Sequence, residues 1–345
     1  MSNVYFTSVN NKTTVKEVNL ISQKLLETVI EKENIQLEKE IPLKVHFGEQ
    51  GNHTYIKPDN YNGIIEFLEN KNIKTSFMET SVLYGGQRYK KELHLKTAKE
   101  HGFTRVPVII ADGDHGEDFY EVEINKTHYK KCKLGKEFSK YNQIIVVAHF
   151  KGHMLAGFGG AMKQLSMGYA AKGGKLAMHM GIKPRILNRK CKQCHLCQKK
   201  CQVDAITIGN KSFINQDICI GCGACVAICP HKAVSIITIG AIFKAIFGNR
   251  FDEKLVEYAY AAQKDKKNIY LNFLMSITQG CDCEGKKMSP IMEDIGIFAS
   301  TDPVAIDKAC YDLVKKGGKK LKGHSMFHHA EKIGLGSQHY VLKEV

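Results

Sequence analysis

Cys191-Lys-Gln-Cys194-His-Leu-Cys197-Gln-Lys-Lys-Cys201 is answered later in the chain by Cys219-Ile-Gly-Cys222-Gly-Ala-Cys225-Val-Ala-Ile-Cys229-Pro230, with 28 residues between equivalent positions. Both copies read C-x2-C-x2-C-x3-C. At this spacing three thiolates wrap one corner of an iron–sulfur cubane in a tight loop. The fourth opens a short helix and reaches a different cluster. The pattern predicts two [4Fe–4S] clusters with crossed ligation. Cys191, Cys194, Cys197 and Cys229 hold the first, and Cys219, Cys222, Cys225 and Cys201 hold the second.

The flanks repeat too. Val203-Asp-Ala-Ile-Thr-Ile208 follows the first copy and His231-Lys-Ala-Val-Ser-Ile236 the second, each a turn leading into a β-branched strand. This is the layout of a pseudo-symmetric ferredoxin half. Gly221, Gly223 and Ala224 are small enough to let backbone amides approach cluster sulfurs. Gln202 stands where the second copy has Pro230, which is expected to loosen that turn and leave the ligand in place. Zinc sites and a disulfide framework are the competing readings. Neither requires a third cysteine at x2 and a fourth at x3 in duplicate.

The chain has 345 residues, enough for two domains with a sizeable core. We expect a small inserted α+β dicluster unit at 188–238, between a first part at 1–187 and a second at 239–345. Twelve cysteines, and a start with neither a basic n-region nor an apolar h-region, predict a reducing, cytoplasmic setting and oxygen sensitivity. The best candidate span, from Ala233 to Phe247, is too short for a membrane and carries Lys244. The formal net charge is +15, with a lysine run at Lys315, Lys316, Lys319, Lys320 and Lys322. Aromatics do not interleave with these lysines, which argues against nucleic acid. A basic surface suits an acidic redox partner or an anionic small molecule.

Outside the repeat, apolar strands alternate with amphipathic helices. Strands are expected at Val4–Phe6, Pro42–Phe47, Thr75–Met78, Val106–Ile110, Ile144–Val147, Ile269–Leu274 and Ile295–Ala299. Helices are expected at Val15–Glu31, after a cap at Asp59, at Leu93–Gly102, at Phe251–Lys264 and after Asp302-Pro303. This is an α/β fold: a mainly parallel sheet with helices on its faces. The dicluster unit interrupts it, so both ends of the unit are anchored to one host.

Ligands of such sheets bind beyond the carboxyl ends of the strands. The strand exits here are polar: His46, Glu49 and Asn52; Glu79, Thr80, Tyr84 and Arg88; His149, Lys151 and His153, then Gly157–Gly160 and Lys163; Cys281-Asp282-Cys283; and Asp302. Plain readings compete with functional ones. His46 and Lys44 alternate and could share a solvated face. Gly157–Gly160 could serve a tight helix entry, and no G-K-[ST] follows it. Asp302 is explained as a helix cap, and Cys132 and Cys310 as ordinary free cysteines. Cys281 and Cys283 suit a soft metal or a redox pair better than packing. The expected site therefore comprises Cys281, Cys283 and His153, with His149 or His46, as an additional metal or redox centre. Lys151, Arg88 and Lys163 would bind an anion there, and His153 or His149 would supply protons.

Lys44-Val-His-Phe-Gly-Glu-Gln-Gly-Asn52, Leu83-Tyr-Gly-Gly-Gln-Arg88, His149-Phe-Lys-Gly-His-Met-Leu-Ala-Gly-Phe-Gly-Gly160, Gly174-Lys-Leu-Ala-Met-His179, Cys281-Asp-Cys283 and Asp302-Pro-Val-Ala-Ile-Asp307 together resemble the DUF362 family. The resemblance covers nearly the whole chain. It implies an α/β host with a two-cluster ferredoxin segment at this place, and it assigns no reaction. Glu79 stands where the family commonly has Asp, and Gln164 where it commonly has Asn.

Three functions follow. The first is an iron–sulfur oxidoreductase that relays electrons from a ferredoxin, flavodoxin or reductase to a strand-end site. The second is a ferredoxin-like carrier that uses the host only for docking. The third is a metal- or cluster-handling protein that uses Cys281 and Cys283 as transfer ligands.

Overall fold

The computed structural model describes residues 1–179, 183–201, 203–219, 221–236 and 250–345. Gln202 and most of the Ala233 to Phe247 stretch lie outside them. Eight strands form the central sheet: β1 (Ser2–Ser8), β2 (Leu43–Lys44), β3 (Phe77–Glu79), β4 (Val108–Ile110), β5 (Ile145–His149), β6 (Ile269–Leu274), β7 (Gly296–Ser300) and β8 (Tyr340–Glu344). Their order is β8-β1-β7-β6-β5-β2-β3-β4. Only β7 runs antiparallel to its neighbours, and every other adjacent pair is parallel. The α/β reading therefore holds.

β5 and β6 are buried along their whole lengths, which is why they read as unbroken apolar runs. Their side chains alternate between two cores. Val146, Tyr270 and Leu274 enter one, while Ile145, Val147, Ile269, Leu271 and Phe273 enter the other. Helices α1 (Val15–Lys32), α2 (Asn62–Asn70) and α3 (Lys91–Glu100) cover the second face. Helix α1 starts at a Thr14/Glu17 capping box. On the first face lie α4 (Ala161–Ser166), α8 (Phe251–Gln263), α9 (Pro303–Lys316) and α10 (Ser325–Ile333). Asp302 Oδ1 accepts the Val304 and Ala305 amides and caps α9, with Pro303 in its first turn.

Three expectations need correction. The strand expected at Pro42–Phe47 is only Leu43–Lys44, and Lys44 is fully buried. The sheet is covered on both faces, so alternation there does not mark a wet side. Lys44 is kept inside by Glu79 at 2.8 Å and Gln164 at 3.1 Å. Asp59 does not cap α2; it lies in a 3₁₀ turn, Pro58–Tyr61, that precedes the helix. The Gly157–Gly160 segment is mostly a hairpin strand, Gly157–Gly159, paired with Lys151–His153. Gly160 precedes α4, and the Ala161 and Met162 amides donate to the Asp307 carboxylate at 2.7 and 2.9 Å, so that helix end already holds an anion. The hairpin of Phe119–Glu123 with Lys131–Gly135, helix α10 and strand β8 were not foreseen. They lack long apolar runs.

The cysteine repeat folds around its own small core of Cys197, Ala205, Ile206, Ile214, Cys219, Cys225 and Val234. Helices α6 (Leu196–Lys199) and α7 (Ala224–Ile228) begin 28 residues apart, like the cysteines. Strand Arg185–Ile186 pairs with Val234–Ser235, and Ile206–Thr207 pairs with Phe213–Ile214. Each half thus lends a strand to the other. Backbone conformation repeats as well: left-handed residues occur at Gln193, His195 and Asp204, and again at Gly221, Gly223 and Lys232.

Candidate redox site

Going from β2 to β4 the sheet grows one way, and from β5 to β7 it grows the other. The order therefore reverses between β2 and β5, and crevices beyond the carboxyl ends of such a pair are the usual ligand sites. His46 follows β2 and His149 ends β5. Both line a cavity of about 120 Å³ with Arg88, Lys151, His153, Lys163, Lys175, His179 and Cys283. Apolar residues Val82, Leu83, Met167 and Phe251 close its walls.

The cavity floor is a network of charges. Asp282 is fully buried. Its carboxylate accepts His149 Nδ1 at 2.9 and 3.0 Å and pairs with Lys151 Nζ at 2.7 Å. Burial alone would raise its pKa, but His149 and Lys151 overcome this and hold it well below the usual carboxylate range. His149 Nε2 meets the Met275 carbonyl at 2.9 Å. Arg88 donates to Glu49 at 3.1 Å and to the Tyr84 hydroxyl at 2.7 Å, and lies 3.2 Å from His46 Nε2. Burial, reinforced by Arg88, pushes His46 well below its ordinary pKa, which keeps the ring neutral.

Cys281 lies beneath the cavity wall, and its sulfur accepts Lys163 Nζ at 3.2 Å and the Cys283 amide at 3.4 Å. The Cys283 thiol, hydrogen-bonded to it, draws the Cys281 thiol well below its ordinary pKa against the effect of burial, and Lys163 and His153 add to the shift. Cys283 is pushed up by the same bond and by burial. Within the pair, the proton is therefore held more tightly by Cys283 than by Cys281. The two sulfurs and a His153 ring nitrogen lie within 4.8 Å of one another.

His153, His149, Lys151, Arg88, Lys163, His46 and Cys283 therefore meet in one place, with Cys281 directly behind. Asp302 and Asn52 do not join them. Asp302 caps α9, and Asn52 steadies its loop by accepting the Thr54 and Tyr55 amides. Glu49 stands behind Arg88. Cys132 and Cys310 are buried, and burial pushes both thiols up. Lys175, His179 and Asp282 carry no assigned role in the sequence reading, although Asp282 lies in the Cys281–Cys283 exit and the other two in the Gly174–His179 motif. The first two sit on helix α5 (Lys172–His179), and their four-residue spacing places them on one helix face. Lys175 Nζ is held by two neutral oxygens, Thr80 Oγ1 at 2.6 Å and the Ser81 carbonyl at 2.5 Å. Burial brings its pKa down to about 8.

In the repeat, Cys191, Cys194, Cys197 and Cys229 line one hollow with Ile186, Ile208 and Val234. Burial raises Cys225, and the nearby Cys222, Cys219, Cys197 and Cys201 raise it further. Four thiols around an apolar hollow are a donor set that suits a cubane. Backbone amides already face the sulfurs in matching fashion, with Ala205 donating to Cys201 and Ala233 to Cys229, both at 3.3 Å.

Helix α5 joins the two regions. A Cβ on Gly173 would lie 2.9 Å from the Cys222 Cα and the Gly221 carbonyl. The same helix sends Lys175 and His179 into the cavity. From Gly173 to His179 it advances about 9 Å. Lys200 of the repeat also pairs with Glu117 of the host at 2.6 Å.

Comparison with known families matches residues 41–312 to the profile described as "Domain of unknown function (DUF362)". The chain belongs to the DUF362 family. It is also 45% identical over 47 residues to a component of an ion-translocating oxidoreductase complex of Methanosarcina acetivorans, and 46% identical over 39 residues to a ferredoxin 7Fe of Hydrogenibacillus schlegelii. These stretches cover 13% and 11% of this DUF362 chain, and 18% and 50% of those relatives. The chain thus spans half or less of the curated relatives it matches. A crystal structure of a Thermotoga maritima protein aligns with 88% of this chain and 59% of its own, at 14% identity and a TM-score of 0.42. Short ferredoxin likenesses and the grouped cysteines suggest iron–sulfur binding and an electron-transfer role. Among the described residues, no helix is long and apolar enough to cross a membrane.

Proposed function

We propose that this DUF362 protein is an iron–sulfur oxidoreductase in which a dicluster unit at 188–238 is inserted into a host formed by 1–187 and 239–345. Cys191, Cys194, Cys197 and Cys229 hold one [4Fe–4S] cluster, and Cys219, Cys222, Cys225 and Cys201 hold the other. Bound there, the two clusters supply one-electron relay between a ferredoxin- or flavodoxin-type donor and the host. The cavity at the β2/β5 switch point receives an anionic small molecule. The observation that carries this reading is helix α5, which packs against the Cys222 loop and also lines the cavity.

The chain's own residues then divide the work. Lys175 and Lys163 face the anion. The Asp282–His149–Lys151 network fixes the floor, and Met167 and Phe251 limit water. His153 Nδ1 accepts the Ala156 amide at 3.0 Å, so the neutral ring carries its proton on Nε2. That proton is available at the cavity wall. A cytoplasmic setting and a small acidic redox partner accord with this reading.

The test is iron, sulfide and total metal analysis with low-temperature EPR on anaerobically purified protein. About eight irons per chain, with interacting reduced-cubane signals, are expected. Zinc in place of iron, or a single cluster, would overturn the assignment.

A further inference from the structure

We propose that Cys281 and Cys283 form a dithiol–disulfide pair that reduces the disulfide bond of an anionic thiol compound. The inference rests on the reading of the cavity as the destination of electrons, and it specifies the bond that is broken there. The two sulfurs stand close together at C-x-C spacing, beside the His153 ring, and the Lys163 ammonium contacts Cys281. Cys283 lines the cavity, and Cys281 sits behind it, 2% exposed. The Cys281 amide donates to Glu284 Oε1 at 2.9 Å, which pins the turn that holds the pair.

A bound metal is the competing use of these residues, and two observations weigh against it. The Lys163 ammonium already contacts the Cys281 sulfur at 3.2 Å, so a divalent ion there would meet a like charge. His153 has its Nδ1 lone pair committed to the Ala156 amide. Its other nitrogen therefore presents a hydrogen to the Cys281 side, not a lone pair. Cys281, beside an ammonium and an imidazole N–H, is thus placed to take the proton of Cys283, the sulfur that lines the cavity, and to act as the resolving thiolate of a thiol–disulfide exchange.

The Cys283 thiol gives its proton to the Cys281 thiolate and attacks one sulfur of the substrate disulfide. A Cys283–substrate disulfide forms, and the first substrate thiolate leaves and takes the proton from Cys281. The restored Cys281 thiolate attacks the Cys283 sulfur and expels the second substrate thiolate, which takes a proton from solvent. Cys281 and Cys283 are now joined. Two electrons from a low-potential, one-electron ferredoxin-class reductant, with one proton, restore the starting pair. The net change is one disulfide, two electrons and two protons to two thiols. Lys175 lines the same cavity and has only neutral oxygens on its ammonium, so it faces the anionic group of the substrate.

The experiment uses the intact protein, purified without oxygen, and dithiobis(nitrobenzoate) as an anionic disulfide probe, with peptide mapping by mass spectrometry. The parent should release two nitrothiobenzoates per chain at this site and retain none, ending with Cys281 joined to Cys283. Cys281→Ser should retain one probe group on Cys283, and Cys283→Ser should retain none there. Lys175→Met should slow the trapping at least tenfold. In redox buffers, the ratio of joined to free pair should change tenfold per about 30 mV, as a two-electron couple requires. A pair that stays unjoined under oxidation would overturn the proposal. So would a stoichiometric metal lost from both serine variants. Iron and sulfide measured on the same samples keep the two readings apart. Missing iron would sink the cluster assignment while leaving the thiol result readable, and intact iron with an inert pair would sink only the dithiol.

Discussion

In the cysteine repeat, four thiols face one another because the chain leaves two or three residues between successive cysteines and then brings the two halves together. In the cavity, Cys281 and Cys283 meet His153 and Lys163 because separate elements end in the same place: the loop after β6, the hairpin after β5, and α4. The repeat is lined mainly by apolar side chains. The cavity gathers four histidines, three lysines and Arg88 between apolar walls. The contrast indicates what each region needs. The repeat supplies thiols and amides and leaves the electronic work to whatever it holds. The cavity tunes its own sulfurs with charges.

The largest effect sharpens the repeat's side of this contrast. If ligation crosses between the halves, Cys191→Ala and Cys229→Ala strike the same cluster, so the double variant should lose no more iron than either single. Cys191→Ala with Cys201→Ala strikes both clusters and should lose nearly all of about eight irons. Iron analysis of the four proteins decides it. If the Cys191/Cys201 pair behaves as one cluster, each half binds its own and the crossing is wrong.

The second effect tests the charges on the cavity side. Asp282→Asn leaves Lys151 buried beside an uncharged partner, and breaking such a buried pair costs about 3–5 kcal/mol. Denaturant unfolding near neutral pH should show that loss. The pH dependence has a definite sign. The folded protein holds Asp282 well below its ordinary pKa, so its contribution is present above about pH 4, the unfolded value, and is lost as pH falls further. The acid limb of the stability curve should flatten in the variant. An unchanged acid limb would mean that the network adds nothing.

How far the two regions could be read in advance follows from the same contrast. Spacing is local, so the cysteine repeat, its short helices and its strands are legible in sequence. The long buried strands are legible too: the apolar run gives β6 to the residue and β5 to within two residues at either end, because both are covered on both faces. Lys44 defeated the reading because burial of a cation depends on Glu79, which lies 35 residues away in sequence. The Gly157–Gly160 stretch defeated it because only tertiary structure shows Asp307 occupying the helix end that a phosphate would take. Convergence of the polar strand exits was legible from topology. The partners of each side chain were not, since they come from other strands and from α5.

A third effect concerns the anion site. Lys175 faces Asp112 and Glu79, which favour its charge, and Lys44 and Arg88, which oppose it, while burial brings its pKa to about 8. Below pH 8 the ammonium is present to bind an anion. Above it, affinity for a small dicarboxylate such as malonate should fall about tenfold per pH unit, or about 1.4 kcal/mol each. Folding itself has the opposite slope. The fold releases this proton more readily than the unfolded chain does, so stability rises between pH 8 and about 10.5. Lys172 titrates near 7 and lies outside the cavity lining, so its effect comes a unit earlier. Calorimetric titration of the parent and Lys175→Met should show the slope in the parent alone. A slope in both proteins would remove Lys175 from the site.

The smallest effect compares the two halves of the repeat with each other. Left-handed backbone falls on Gln193 and His195 in the first half, and on Gly221 and Gly223 in the second, at φ values from +53° to +77°. A side chain costs about 1–2 kcal/mol at such a position. The first half bears that cost twice, so the backbone alone does not demand glycine. The neighbours explain the difference. A Cβ on Gly223 would lie 3.0 Å from Leu176 Cδ1 and 3.5 Å from Lys172 Cβ, both on α5, whereas a Cβ on Gly221 would meet only Lys183 at 4.0 Å. The second half is the one pressed against the helix that reaches the cavity. Gly221→Ala should therefore lose about 1 kcal/mol, and Gly223→Ala clearly more. Gln193→Gly and His195→Gly should leave stability within about 1 kcal/mol of the parent, because relief of the strained φ is offset by greater freedom in the unfolded chain. Thermal unfolding of the four variants, with iron content held equal, checks the order. Equal losses at Gly221 and Gly223 would mean that α5 exerts no pressure on the second cysteine loop. The contact that links the repeat to the cavity would then be looser than its geometry implies.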